Sequence, residues 1–166
     1  MNSDTALLAA LHAPVANMSF ATTENANMSF ADLQGKTVVL YFYPKDNTPG
    51  CTLEAKDFRD IYPACVAADI CIFGVSRDNL VSHHDFITQC GLPFPLISDA
   101  DQALCTYFQV IKEKNMYGKK VMGIERSTFL IDSTGVLRQE WRHVKVEGHA
   151  AAVFEAAKKI TVPAVG

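Results

Sequence analysis

Two apolar runs set the terms for the fold. Thr37 to Tyr43 reads TVVLYFY and Ile70 to Val75 reads ICIFGV. Neither alternates polar with apolar residues, as a half-solvated strand does. Both are continuous and rich in β-branched and aromatic side chains, the pattern of strands covered on both faces. Such strands sit inside a layered sheet, and the segments around them must supply the cover. After Cys51, apolar residues recur at Phe58, Ile61, Tyr62 and Cys65, which is helical spacing, with Pro63 expected to kink or divide the helix. A second helix is expected from about Asn79 to its stop at Gly91. Pro95 to Ser98 reads as a short strand and Asp101 to Phe108 as a helix. Ser127 to Asp132 and Val136 to Val144 flank a Ser-Thr-Gly turn as a hairpin. His149 to Ile160 closes the chain, with Val153, Phe154, Ala157 and Ile160 on one face. The tetrapeptide NMSF, at Asn17 and again at Asn27, is spaced for a two-strand ribbon. Strands alternating with helices imply right-handed parallel crossovers, and the late hairpin adds antiparallel strands. The expectation is an α/β fold with a mixed central sheet and helices on both faces. It forms a single domain over 1–166, with 1–11 a loosely packed N-terminal segment.

Composition excludes more than it selects. A chain of 166 residues, 49% hydrophobic and 20% charged, can bury a core without disulfide or metal staples. Its net charge of −3 argues against nucleic acid, and no apolar run approaches the length of a membrane helix. Phosphate-binding glycine fingerprints are absent. The apolar stretch near the N-terminus lacks the basic flank of a signal segment, since the first basic residue is Lys36. A cytoplasmic location is therefore expected. The five cysteines (51, 65, 71, 90 and 105) agree: the number is odd, the spacing irregular, and there is no CxxC.

The chemistry concentrates at Thr48-Pro-Gly-Cys51, which follows the TVVLYFY strand by a short loop and opens a helix. In α/β sheets the reactive site lies at the carboxyl end of a strand, where the next helix begins. A helix N-terminus offers unpaired N–H groups and partial positive charge, both favouring a thiolate. Pro49 suits the first helical turn, where its missing N–H costs nothing. Gly50 permits close approach of a small ligand to the backbone. Thr48 can aim a hydroxyl at the sulfur or at something bound beside it. From these residues alone, a reactive thiol and a buried filler cysteine both remain open.

The stretch FYPKDNTPGCTLEAKDF contains the pattern Pro-x-x-x-Thr-x-x-Cys and resembles the active-site signature of peroxiredoxins. With GVSRD from Gly74 and GIERSTFLID from Gly123, it is similar to the peroxiredoxin Q (bacterioferritin-comigratory-protein) subfamily. The resemblance runs from about His12 to Ile160. It implies a thioredoxin-like fold and a thiol peroxidase that reduces hydrogen peroxide and organic hydroperoxides through a sulfenic acid, with no bound cofactor or metal. A thioredoxin- or glutaredoxin-type reductant regenerates it. Residue by residue, the resemblance puts Cys51 at the peroxidatic position and Thr48 at the threonine that hydrogen-bonds the peroxide. Pro44 falls at the proline shielding the pocket from water. Arg126 falls at the arginine that fixes the thiolate and polarises the O–O bond. On composition alone Arg126 would be a solvated strand-end charge.

The resemblance also implies a step that resolves the sulfenic acid. Many relatives carry a second cysteine where this chain has Lys56. Others place it on the helix after the second strand, near Ile87, with Cys90 one helical turn further on. Cys90, beside Gly91 at a helix end able to unwind, is the intramolecular candidate; an external thiol is the alternative. Cys65 is expected too far along the first helix, while Cys71 and Cys105 read as buried structural residues. His83 and His84 read as a solvated helix face, and Lys112, Lys114, Lys119 and Lys120 as a solvated basic loop. Glu54 is given a structural role. Tyr41, Phe42, Tyr43 and Trp141 are assigned to the core. A monomer is the default. A peroxide sensor, passing oxidation to a partner protein through a mixed disulfide, would use the same cysteine.

Overall fold

The computed structural model describes residues 8–161. In chain order the elements are β1 (Ser19–Thr22), β2 (Met28–Ser29), a 3-10 turn (Phe30–Leu33), β3 (Thr37–Phe42), α1 (Pro49–Ala67), β4 (Ile70–Ser76), α2 (Leu80–Cys90), β5 (Leu96–Ser98), α3 (Ala103–Tyr107), β6 (Ile111–Met116), β7 (Lys119–Ile124), β8 (Ser127–Ile131), β9 (Leu137–Trp141) and α4 (His149–Ile160). Seven strands form one sheet in the order β2-β1-β5-β4-β3-β8-β9, and β6 pairs with β7 separately. β3, β4 and β5 are parallel, while β8 runs antiparallel to β3 and β9 antiparallel to β8. The sheet is mixed, as the alternation of elements requires. The NMSF repeat does form a ribbon, with Ser19 opposite Ser29 and Phe20 opposite Met28.

Every residue of β3 is buried. Val38, Leu40 and Phe42 enter one apolar cluster with Leu104, Phe108 and Phe129; Val39 and Tyr41 enter another on the opposite face. That second cluster takes Cys51, Ala55 and Phe58 from α1, Phe86 and Cys90 from α2, and Val153 and Ala157 from α4. Helices thus cover both faces, three on one side and the short α3 on the other. Each large side chain so buried contributes roughly 1.5–3 kcal/mol relative to exposure. Tyr41 stacks on Phe58 with ring centroids 4.5 Å apart, and its phenol end rests over Gly74 of β4. A Cβ at Gly74 would stand 2.8 Å from the Tyr41 hydroxyl and 2.7 Å from Leu96, so only glycine fits beneath that ring.

Several expectations need correction. Pro63 does not divide α1, which is continuous through it. The proline lies on the exposed side of the helix, where the carbonyl it leaves unbonded can be met by water. α3 is shorter than expected, covering five residues. The basic segment IKEKNMYGKK is no loop but a hairpin, β6 to β7, turning at Tyr117 (φ 53°) and Gly118 (φ 80°). Two positive φ values in succession are those of a two-residue hairpin turn. The N-terminal segment 1–11 lies largely outside the described residues; near its end, the Ala9 amide donates to the Tyr107 carbonyl at 2.8 Å.

Candidate active site

α1 begins just beyond the carboxyl end of β3. Thr48 is its N-cap, in extended conformation, and Pro49 its first residue. The Thr48 hydroxyl does not cap the helix but donates to the Lys45 carbonyl at 3.0 Å. Its oxygen keeps lone pairs for another partner. The Thr52 amide reaches the Thr48 carbonyl at 2.8 Å, so the unfilled donors of the helix start are the amides of Gly50 and Cys51. Cys51 itself is 1% exposed. It lies on the buried stripe of α1 that continues through Glu54, Ala55 and Phe58, while Lys56 points to solvent.

Arg126 comes from the residue before β8, which pairs with β3 and brings it to the same end of the sheet. Its Nη1 donates to Glu54 Oε1 at 2.6 Å, and its Nη2 lies 3.4 Å from the Cys51 sulfur. The guanidinium passes directly over Gly50, where a Cβ would stand 3.2 Å from Nη2. Gly50 was expected to admit a ligand; the group it admits first is Arg126. Burial raises the Glu54 carboxyl to about 7, and the charge and hydrogen bond of Arg126 pull it down without cancelling that effect. Its second oxygen, Oε2, is buried without a partner, as is the Tyr41 hydroxyl. Burial opposes charge on Arg126 as well, yet Glu54 and Cys51 together hold its guanidinium above the ordinary value. Pro44 and Arg126 line one cleft of about 320 Å³.

Glu54, given a structural role from the sequence, is the buried partner that fixes Arg126. Its place beside the sulfur could have been read from helical spacing, since residues 51, 54, 55 and 58 share a face. His83 was misassigned. It is fully buried, whereas His84 is exposed. Its position three residues before Phe86 and seven before Cys90 puts it on the inner stripe of α2. Nδ1 lies 2.8 Å from Asp46 Oδ2, and Nε2 lies 2.9 Å from the Ile97 carbonyl. Asp46 also accepts from Tyr43 (2.6 Å) and Ser82 (2.7 Å), and its amide donates to Asp78. Burial pushes the Asp46 carboxyl up, but these hydrogen bonds outweigh it and hold the group below its usual range. The network ties the loop ahead of Thr48 to the first turn of α2.

The remaining thiols lie elsewhere. Cys65 is on α1 with Cys51, roughly 21 Å along the axis. Cys105 is fully buried, and its thiol is pushed far up by burial and by Asp99. Cys71, expected to be buried, is partly exposed on β4. Cys90 is the last residue of α2, just before Gly91 at φ +63°. It belongs to the same apolar cluster as Cys51, and both are free thiols.

Two outcomes follow from this geometry. Gly50→Ala adds a methyl against a guanidinium pinned by Glu54, while favouring the helix by up to ~1 kcal/mol. The variant should unfold at equal or higher urea, yet its Cys51 should react with peroxide about tenfold more slowly in stopped flow. Glu54 governs a pH effect. A carboxyl held at about 7 when folded and near 4.5 when unfolded contributes stability that is full below the unfolded value and is lost as pH rises through about 7. Measured by urea unfolding, wild type should lose on the order of 3 kcal/mol relative to Glu54→Gln between about pH 4.5 and 8.

The sequence profile of the AhpC/TSA family matches residues 11–140. The chain is 57% identical over 124 residues to Peroxiredoxin Bcp of Xanthomonas campestris, covering 75% of this chain and 78% of that one. A solved structure of Xanthomonas campestris Peroxiredoxin Q superimposes with a TM-score of 0.84 at 49% identity, covering 91% of this chain and 97% of the other. The Bacterioferritin Comigratory Protein of that organism, described with trapped intermediate and ligand complexes and an alkyl peroxide reduction activity, gives 0.84 at 48% identity, covering 91% of this chain and 98% of the other. Among the described residues no helix is long and apolar enough to cross a membrane. With a thioredoxin-like sheet, a cysteine opening α1 and a family profile that spans most of its length, the chain belongs to the AhpC/TSA family and is a peroxiredoxin of the Bcp type, a peroxidase.

Proposed function

We propose that Cys51 is the peroxidatic sulfur, reducing hydrogen peroxide and organic hydroperoxides, and that Cys90 resolves the oxidised product. One observation carries the first half: the Arg126 guanidinium, fixed by Glu54 at 2.6 Å, presents Nη2 3.4 Å from Cys51. A hydroperoxide enters beside Pro44 and Arg126. Its O–H donates to the Thr48 oxygen, whose own proton is engaged by Lys45. The Cys51 thiolate attacks the distal oxygen; the S–O bond forms as the O–O bond breaks. The sulfur becomes a sulfenic acid, and the departing alkoxide takes a proton from water to leave as an alcohol. Arg126 and the unfilled amides of Gly50 and Cys51 face the charge as it moves from sulfur to oxygen, which is where preorganised donors contribute most. The alkyl peroxide reduction of the Xanthomonas campestris relative supports this substrate class.

Resolution requires motion. Arg59 Nη1 donates to the Cys90 carbonyl at 2.8 Å, tying the end of α2 to α1. A disulfide needs Cα atoms within about 7 Å. Cys90 is buried in the apolar cluster it shares with Cys51 and must leave that packing to reach the sulfur, a movement the glycine stop at the end of α2 allows. Burial keeps the packed Cys90 thiol above its ordinary value, with Lys56 and Arg59 opposing. Once released it attacks the sulfenic sulfur, the S–S bond forms, and water leaves. A thioredoxin- or glutaredoxin-type dithiol then reduces the disulfide. A cytoplasmic monomer is the setting this reading adopts.

Cys51→Ser should abolish peroxide consumption, and retained turnover would falsify the assignment. After one equivalent of peroxide, non-reducing peptide mapping of wild type should recover Cys51 joined to Cys90. Cys51 linked only to added thiol rules out Cys90 as the resolving group. Cys51 linked stably to one partner protein, with poor turnover, marks a sensor instead.

A further inference from the structure

Of the two lysines on β6, Lys114 turns inward. Lys112, Glu113, Asn115 and Met116 are exposed, whereas Lys114 is half-buried. Its stem crosses Gly123 of the paired strand, where a Cβ would stand 3.3 Å from Cδ and 3.6 Å from Nζ. The ammonium donates to the Ile124 carbonyl, two residues before Arg126. It thereby lines the same cleft as Pro44 and Arg126, with Lys112, Glu113, Glu125 and His143 around the rim.

The charges there are unevenly shared. Arg126 is bound to Glu54 on one side and faces Cys51 on the other. Glu125 is engaged by His143 at 3.5 Å. Among the described residues, no carboxylate lies within salt-bridge distance of the Lys114 ammonium. Burial and the positive charges of Arg126 and Arg77 oppose its proton, while Cys51 and Glu125 favour it. Whenever Glu54 is ionised, its carboxylate and a Cys51 thiolate together carry more negative charge than Arg126 alone supplies. That is a poor setting for holding an anion on sulfur and then moving it to a departing oxygen.

We propose that Lys114 is an electrostatic positioning residue of the peroxidatic site: its ammonium, held on the Ile124 carbonyl, adds positive potential to that of Arg126, which is shared with Glu54. It favours the Cys51 thiolate and draws anions into the cleft. This rests on Cys51 being the reacting sulfur, a point Cys51→Ser decides separately: if that variant still consumes peroxide, the assignment of Cys51 fails whatever Lys114 does. The test compares alkylation of Cys51 by iodoacetate, an anion, with iodoacetamide, its neutral counterpart of similar size. In Lys114→Met the ratio of the two rates should fall about fivefold or more, and peroxide oxidation of Cys51 should slow on the order of tenfold. Lys114→Arg should restore both, which a merely structural role does not explain. Ratios and oxidation rates within about twofold of wild type in folded Lys114→Met overturn the proposal. Should that variant fail to fold, wild type decides. Its ratio should drop when salt rises from about 20 to about 500 mM, and a salt-independent ratio overturns the proposal.

Discussion

Arg126 is held between the Glu54 carboxyl and the Cys51 sulfur, and most of the surrounding structure exists to put it there. Glu54 binds one arm of the guanidinium at 2.6 Å and the Cys51 sulfur faces the other at 3.4 Å. For that to happen, β8 must pair with β3, α1 must start at the end of β3, and residue 50 must have no side chain. The buried runs of β3 and β4 fix the first two conditions. The third is a local choice within the Thr-Pro-Gly-Cys turn. Losing the β3–β8 pairing would open the sheet itself, whereas a side chain at residue 50 would displace the cation from the sulfur and leave the sheet intact.

The arrangement is costly by itself. Glu54 is nearly fully buried, one of its oxygens has no partner, and burial dominates its titration. Breaking a buried ion pair by removing one partner costs about 3–5 kcal/mol, yet keeping the pair contributes little net stability. The gain is positional: a guanidinium that cannot rotate away from the sulfur is ready before a peroxide arrives. The Asp46–His83 pair is a second buried polar anchor, and it fixes the loop that carries Thr48 to the start of α2. The beginning of α2 is thus tied to that loop by buried polar bonds, while its end rests on the Arg59 contact and on apolar packing around Cys90.

The sheet was legible because β3 and β4 are apolar on both faces, and the helix ends because Pro49 and Asn79 as starts and Gly91 as a stop are strong local signals. The buried settings of Glu54, His83 and Lys114 were not legible from the sequence. Polar and charged residues are mostly exposed, so His83 and Lys114 were expected to be solvated. What overrides type is tertiary placement: Arg126 neutralises Glu54, Asp46 receives His83, and Gly123 makes room for Lys114. Helical period would have flagged the first two, since they share stripes with Cys51 and Phe86. Lys114 also required the hairpin, which the sequence reading took for a loop because its strands are mostly polar and exposed.

Accessibility and electrostatics give opposite rankings of the five thiols. Exposure favours Cys71, the one cysteine that is partly open, whereas Cys51 is 1% exposed beside a guanidinium. The most direct measurement is to add one equivalent of hydrogen peroxide in the presence of a sulfenic-acid trap and map the label across all five cysteines. Label confined to Cys51, with Cys71 unmarked, is the predicted result. Label on Cys71 ahead of Cys51, or spread evenly, would contradict the view that Arg126 rather than solvent access makes the reactive thiol.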